Sequence, residues 1–183
     1  MSNFILHHYQ ASPFAEKIRT ILGFKGLSYR EVTIPIIMPK PDLTALTGGY
    51  RKTPVLQQGR HVYCDTRLIA RIIDEHANEQ TLFPQDQVAT ANILAQWADQ
   101  HLFGLAVALV FSPLGITELA KKVPPAMLEA LVKDRADLRR GATAPKISLE
   151  TVLSQLPIYL QQFEQQLLDR GPYLLGQQPS IAD

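Results

Sequence analysis

Three short stretches of the sequence set polar side chains beside backbone that can use them for chemistry. In "HHYQASPFAEKIRTILGFKG", residues 7–26, Ser12 stands where a strand-like run gives way to a helical one. Pro13 suits the first helical position, where its missing N–H costs nothing, and Ser12 then falls at the N-cap. Its hydroxyl would sit at the positive end of the helix. In "VYCDTRLIARIIDE", Asp65 and Thr66 hold the same kind of place, a helix start whose outward amides favour an anion. In "RKTPVL", Thr53–Pro54–Val55 offers an X–Pro bond ahead of a strand. There a cis bond costs only about 0.5–1 kcal/mol over trans, but taken alone the segment fits an ordinary trans proline opening an edge strand better. Read locally, Ser12, Asp65 and Thr66 are helix caps. Capping and ligand binding use the same amides and short polar side chains, so the local pattern leaves both roles open.

Other reactive side chains are sparse. Cys64 is the single cysteine, which gives no intrachain disulfide framework and makes a reducing cytosol the default compartment. His7 and His8 are adjacent, so on a strand they point to opposite faces. His61, His76 and His101 show no HxxxH or HxH spacing, so a metal site is not expected. The 183 residues carry 18 basic and 17 acidic side chains, a formal charge of +1 that leaves no electrostatic footprint for nucleic acid or acidic membranes. No apolar run approaches the roughly 20 residues of a bilayer span, and "MSNFILHHYQ" lacks the form of a signal peptide.

The elements that position these residues follow two grammars. Up to about Pro84, strand-like and helix-like pieces alternate. "FILHHY" reads as a strand, and Phe14, Ile18, Ile21 and Leu22 mark the apolar stripe of the helix after it, with Gly23 and Gly26 as places to stop. "SYREVTI" alternates as a second strand, "PDLTAL" is a short helix, and "PVLQQGRHVYC" is a hairpin about Gln58–Gly59. Leu68, Ile69, Ile72, Ile73 and His76 then mark a helix face. The order βαβ-ββα predicts a small α/β sandwich. After "LFP" the strand signal ends. Residues 87–111 read as one long helix carrying Trp97, Leu102 and Leu105, broken by "SPLG". "PPAMLEALVKDRADLRRG" reads as a second helix closing on Gly141, and "SLETVLSQLPIYLQQFEQQLLDRG" as a third, in which Pro157 should force a kink or break. The expected domains are 1–80 and 86–183, with 81–85 as linker. "QQPSIAD" ends on Ser180-x-x-Asp183, a capping-box pattern that announces a helix, so the chain reads as truncated before a core helix.

Four of these stretches, in order, resemble the cytosolic glutathione transferases. "ASPFAEKIR" is similar to the helix start of the tau class, where serine precedes Pro-Phe, and to the omega class, which has cysteine there. "RKTPVL" is similar to the family's Lys-x-Pro-Val-Leu segment, "VYCDTRLIARIIDE" to its Ile-Cys-Glu-Ser run, and "GQQPSIAD" to the capping motif of a buried helix. Asp65–Thr66 replaces Glu-Ser, keeping a carboxylate and a hydroxyl. The resemblance implies a thioredoxin-like N-terminal domain followed by an all-α helical-bundle domain. It assigns the γ-glutamyl carboxylate of glutathione to Thr66, the α-amine to Asp65, and the cysteinyl unit to the backbone of Val55 behind a cis Pro54. Lys52, with Lys40 as a weaker candidate, would meet the glycyl carboxylate, a solvated lysine being the alternative for either.

The resemblance also gives Ser12 its chemistry, with Tyr9 as the alternative because other classes use a tyrosine near the end of the first strand. A thiol of pKa near 8.5 is only a few per cent thiolate at neutrality, and a hydroxyl donor at a helix start stabilises the ionised form. The implied activity is a glutathione transferase, with glutathione as co-substrate and no tightly bound cofactor. It would add the thiolate to a small hydrophobic electrophile lying between the domains. A cytoplasmic homodimer acting in detoxification is implied, without nucleic-acid or membrane partners. Two other classes stay open: a non-catalytic binding or scaffold module on the same fold, and a glutathione-dependent thiol oxidoreductase. Serine at position 12 and the absence of CxxC weigh against the oxidoreductase.

Overall fold

The computed structural model describes residues 3–76, 80–140 and 147–183. The chain divides into two compact units, Met1–Thr81 and Leu82–Asp183. The first contains β1 (Phe4–His8), α1 (Pro13–Phe24), β2 (Tyr29–Thr33), α2 (Pro41–Thr47), β3 (Val55–Gln58), β4 (His61–Cys64) and α3 (Thr66–Glu75). The strands form one sheet in the order β2-β1-β3-β4, with β1 parallel to β2, β3 antiparallel to β1, and β4 antiparallel to β3. This is the thioredoxin-like βαβ-ββα arrangement expected from the sequence.

Period-two alternation places Phe4, Leu6 and His8 of β1 in the interior. His8 meets Arg19 of α1, whereas His7, on the other face, lines a cavity with Lys40 and Leu43 at α2. The face α1 buries is Ala15, Ile18, Ile21 and Leu22, and Phe14 is only half-buried. Full burial of an aliphatic side chain is worth about 1.5–3 kcal/mol, so these positions hold α1 to the sheet. The helix runs through Gly23 and ends at Gly26, where φ is 61° and Leu27 N–H donates to Leu22 O at 2.9 Å. In α3 the buried face is Thr66, Ile69, Ala70 and Ile73; Leu68 is 45% exposed, one position off the expected stripe.

The second unit is helical: α4 (Val88–Trp97), a π-helical turn at Ala98–Leu102, α5 (Phe103–Val110), α6 (Pro113–Ala120), α7 (Pro125–Arg139) and α8 (Leu149–Arg170). Gly141, expected to stop α7, lies outside the described residues. "SPLG" does end α5, but it also starts α6, because Ser112 Oγ accepts from Gly115 N–H at 3.2 Å and Pro113 takes the first turn. Val88–Val110 is a continuous helical stretch of 23 residues whose most apolar 18-residue window has mean hydropathy 1.3, long and apolar enough to cross a membrane. Reading uninterrupted runs missed it, since Asn92, Gln96, Asp99, Gln100 and His101 punctuate the apolar residues. Its buried Ala91, Ala95 and Leu105, and the contact of Trp97 with Tyr159 and Phe163 of α8, account for it as a helix of this unit.

The break expected at Pro157 is absent: α8 is one helix of 22 residues with Pro157 inside it. Pro157 deprives the Leu153 carbonyl of its donor, and both residues are exposed, so water replaces the lost bond. At residues 180–183, Asp183 Oδ2 accepts from Ser180 N–H at 2.8 Å and Ser180 Oγ accepts from Ala182 N–H at 3.2 Å, as the capping pattern requires. Ile181 N–H donates to Leu82 O at 2.8 Å, tying both ends of this unit together.

The exposure of Pro157 leads to a stability prediction. Proline is about 3 kcal/mol less favourable than alanine within a helix, partly offset by its stiffening of the unfolded chain. Pro157→Ala should therefore raise unfolding stability by roughly 1–3 kcal/mol, read by urea denaturation followed by circular dichroism. Unchanged or lower stability would mean that the helix is built around the proline.

Candidate functional site

Register gathers the site. Val55, the first residue of β3, pairs with His7 near the end of β1 and with Cys64 at the end of β4. The chain leaves β1 through Tyr9 toward α1, enters β3 through Pro54, and leaves β4 straight into α3. The α1 and α3 N-termini and the Pro54 bend therefore share one end of one sheet, as does Val55. A cavity of about 620 Å³ lined by Asn3, Ser28, Gln58, Gly59 and His76 lies at the opposite end, beside Phe4, and takes no part in this cluster.

At α1, Ser12 is 3% exposed and extended, with φ −83° and ψ 115°. Its Oγ accepts from Ala15 N–H at 3.2 Å, and its own N–H donates to Tyr9 O at 3.1 Å. A hydroxyl has two lone pairs and one proton, so the cap leaves the O–H to donate. Tyr9 lies half-buried against Ile34, Leu43 and Val55.

The Thr53–Pro54 bond is cis, the isomer the resemblance implies, and a second cis bond joins Met38 to Pro39. Pro54 and Val55 are buried. Lys40 is not the solvated lysine held open as its alternative. It is 4% exposed, with Nζ donating to Thr53 Oγ1 at 3.2 Å and to Arg51 O at 3.4 Å, and lying 5.4 Å from the Tyr9 ring centre. The Arg51 carbonyl, the hydroxyl of Thr53 and the ring of Tyr9 thus share one ammonium. Lys52 is exposed and makes no hydrogen bond or ion pair among the described residues.

At α3, Asp65 is the N-cap, its Oδ1 accepting from Arg67 N–H at 2.9 Å, and Thr66 is buried at the first helical position. Asp65 has φ 76°, the one positive φ outside glycine among the described residues. A non-glycine residue in this region carries a backbone cost of order 1–3 kcal/mol, and such residues concentrate at functional sites. Tyr50 was not singled out in the sequence. Burial first, then the charge of Asp65, raises the pKa of its phenol, which places a neutral hydroxyl beside the Asp65 backbone. Thr53 also escaped notice, because a threonine before a proline is common in loops and only the fold brings Lys40 to it. Burial raises the pKa of the Cys64 thiol, leaving it protonated at neutrality. No group of three or more histidine, cysteine or acidic residues among the described residues could hold a metal.

Residues 6–81 match the family described as the N-terminal domain of glutathione S-transferase. A GST-like protein of Pseudomonas syringae has 45% identity and a TM-score of 0.76, the match covering 100% of this chain and 55% of that one. FtsZ-localized protein A of Caulobacter vibrioides is 28% identical across 97% of this chain and 72% of its own length. Glutathione S-transferase U6 of Arabidopsis thaliana is 29% identical across 62% of this chain and 50% of its own. The chain thus spans only about half of two of these three proteins. Residues 6–81 thus match the glutathione S-transferase N-terminal domain, and a thioredoxin-like unit followed by a helical unit gives this chain a GST-like fold.

Proposed function

We propose that the chain binds glutathione and stabilises its thiolate for transfer to a small hydrophobic electrophile. The observation that carries this reading is the division of labour at Ser12: Oγ caps α1 by accepting from Ala15, and its proton stays available for a sulfur anion. Lowering a thiol pKa by about two units takes roughly 2.7 kcal/mol of differential stabilisation. A charge-assisted hydrogen bond in a desolvated setting, with the positive end of a helix beside it, is of that size.

The remaining groups of the tripeptide find partners of the right chemistry at the same sheet end. Amides at the start of α3 and the Thr66 hydroxyl suit the γ-glutamyl carboxylate, and the Asp65 carboxylate suits the α-amine. The backbone of Val55 suits an antiparallel cysteinyl unit. Lys40, with Lys52 farther out, suits the glycyl carboxylate, the buried Lys40 being the better organised of the two. The reading carries with it a cytosolic homodimer acting in detoxification, which sedimentation velocity tests.

One observation favours a second reading. One relative, matched along 97% of this chain, is named for its localisation at FtsZ and not for a reaction. A binding module that keeps the peptide site would share every feature above except turnover. Glutathione calorimetry beside a conjugation assay with an aryl halide separates the two, since binding without turnover, indifferent to Ser12→Ala, selects the module.

The transferase reading makes three predictions. Ser12→Ala should reduce conjugation about 100-fold and remove the ultraviolet thiolate band of bound glutathione, while the Kd shifts only a few-fold. Asp65→Gly should keep unfolding stability within about 1 kcal/mol, because lost capping and relieved backbone strain offset each other. The same variant should weaken glutathione binding at least about tenfold by calorimetry, the scale of one lost charged hydrogen bond. Cys64→Ala should leave conjugation intact, and iodoacetamide should alkylate Cys64 slowly at pH 7, because its thiol is held protonated. Fast alkylation with loss of activity would revive the thiol oxidoreductase.

A further inference from the structure

We propose that Arg19 is a positioning residue for Ser12, acting with His8 as a clamp on the turn that joins β1 to α1. The proposal rests on the reading of Ser12 given above and adds how that hydroxyl is held. Arg19 lies on α1 and reaches back with its guanidinium fork. Nη1 donates to His8 Nδ1 at 2.8 Å, and Nη2 donates to the Gln10 carbonyl at 3.1 Å and to the Glu16 carboxylate. The Gln10 carbonyl lies inside the turn that the Ser12 N–H closes onto Tyr9 O at 3.1 Å. One rigid, bidentate group therefore ties the end of the central strand, the middle of the turn and the body of the helix together.

The clamp also fixes the state of His8. A guanidinium only donates, so Nδ1 must accept, and the imidazole is neutral with its proton on Nε2. His8 is 1% exposed, and its Nε2 is buried without a hydrogen-bond partner. It lies 3.4 Å from Glu31 Oε1 of β2, a carboxylate that also accepts from Tyr29 Oη at 3.3 Å. The charged and titratable groups facing His8 are thus Arg19, with Glu16 behind it, from α1, and Glu31, with Tyr29 behind it, from β2.

The test combines amide hydrogen exchange by NMR with ultraviolet titration of bound glutathione, on the full chain. In Arg19→Gln the Ser12 and Ala15 amides should exchange about tenfold faster while Leu6 of β1 keeps its protection. The thiolate fraction of bound glutathione at pH 7 should fall about tenfold, one pKa unit, with the Kd within about twofold. Arg19→Lys, which keeps the cation and loses the fork, should fall between the two and serves if Arg19→Gln does not fold. His8→Asn places an amide oxygen near the Nδ1 position, so it should keep the acceptor for Arg19 and the Ser12 protection. Unchanged Ser12 exchange in both Arg19 variants, or an equal loss at Leu6, overturns the clamp. Lost Ser12 protection in a protein whose wild type holds no thiolate supports the clamp and overturns the glutathione reading alone.

Discussion

The antiparallel pairing of β3 between β1 and β4 is the constraint on which the site depends. Because His7, Val55 and Cys64 stand side by side, three chain reversals open at one end of the sheet. Val55 and Leu56 point to opposite faces and are both fully buried, so packing on both faces of the sheet holds β3 in place. The same burial that stabilises the sheet thereby brings two helix N-termini to one end of it. Each supplies a short polar side chain of different chemistry.

Elements with strong local signals were legible in the sequence, and so were the residues at their ends. Ser12–Pro13 and Asp65–Thr66 announce helix starts by capping chemistry, which is local, and both appear in the structure as N-caps. Lys40 was not legible. Its partners, Thr53 and the Arg51 carbonyl, are over ten residues away, and only the packing of α2 against the loop before β3 turns a surface-type residue into a buried one. The π-helical turn at Ala98–Leu102 and the helix begun by Ser112 show two further limits. A single extra residue per turn leaves no mark on an apolar pattern, and "SPLG" holds a stop signal and a start signal at once. Pro157 lies inside one continuous helix, so the exposed proline did not force the break that its rule allows.

The two caps differ in what they leave over. At α1 the hydroxyl accepts from an amide and keeps a proton, which suits an anion. At α3 the Asp65 carboxylate uses Oδ1 on the Arg67 amide and retains lone pairs on Oδ2, which suit a cation. Tyr50, held neutral, adds a donor beside Asp65 without adding charge. One sheet end thus presents an acceptor-rich corner and a donor-rich corner, the polarity that a peptide with an amine at one end and a thiolate along its length requires. The left-handed backbone of Asp65 fits this account, since glycine would relieve the strain but supply no carboxylate. The structure holds a strained aspartate where a relaxed glycine would cap nearly as well, and the difference between them is the carboxylate.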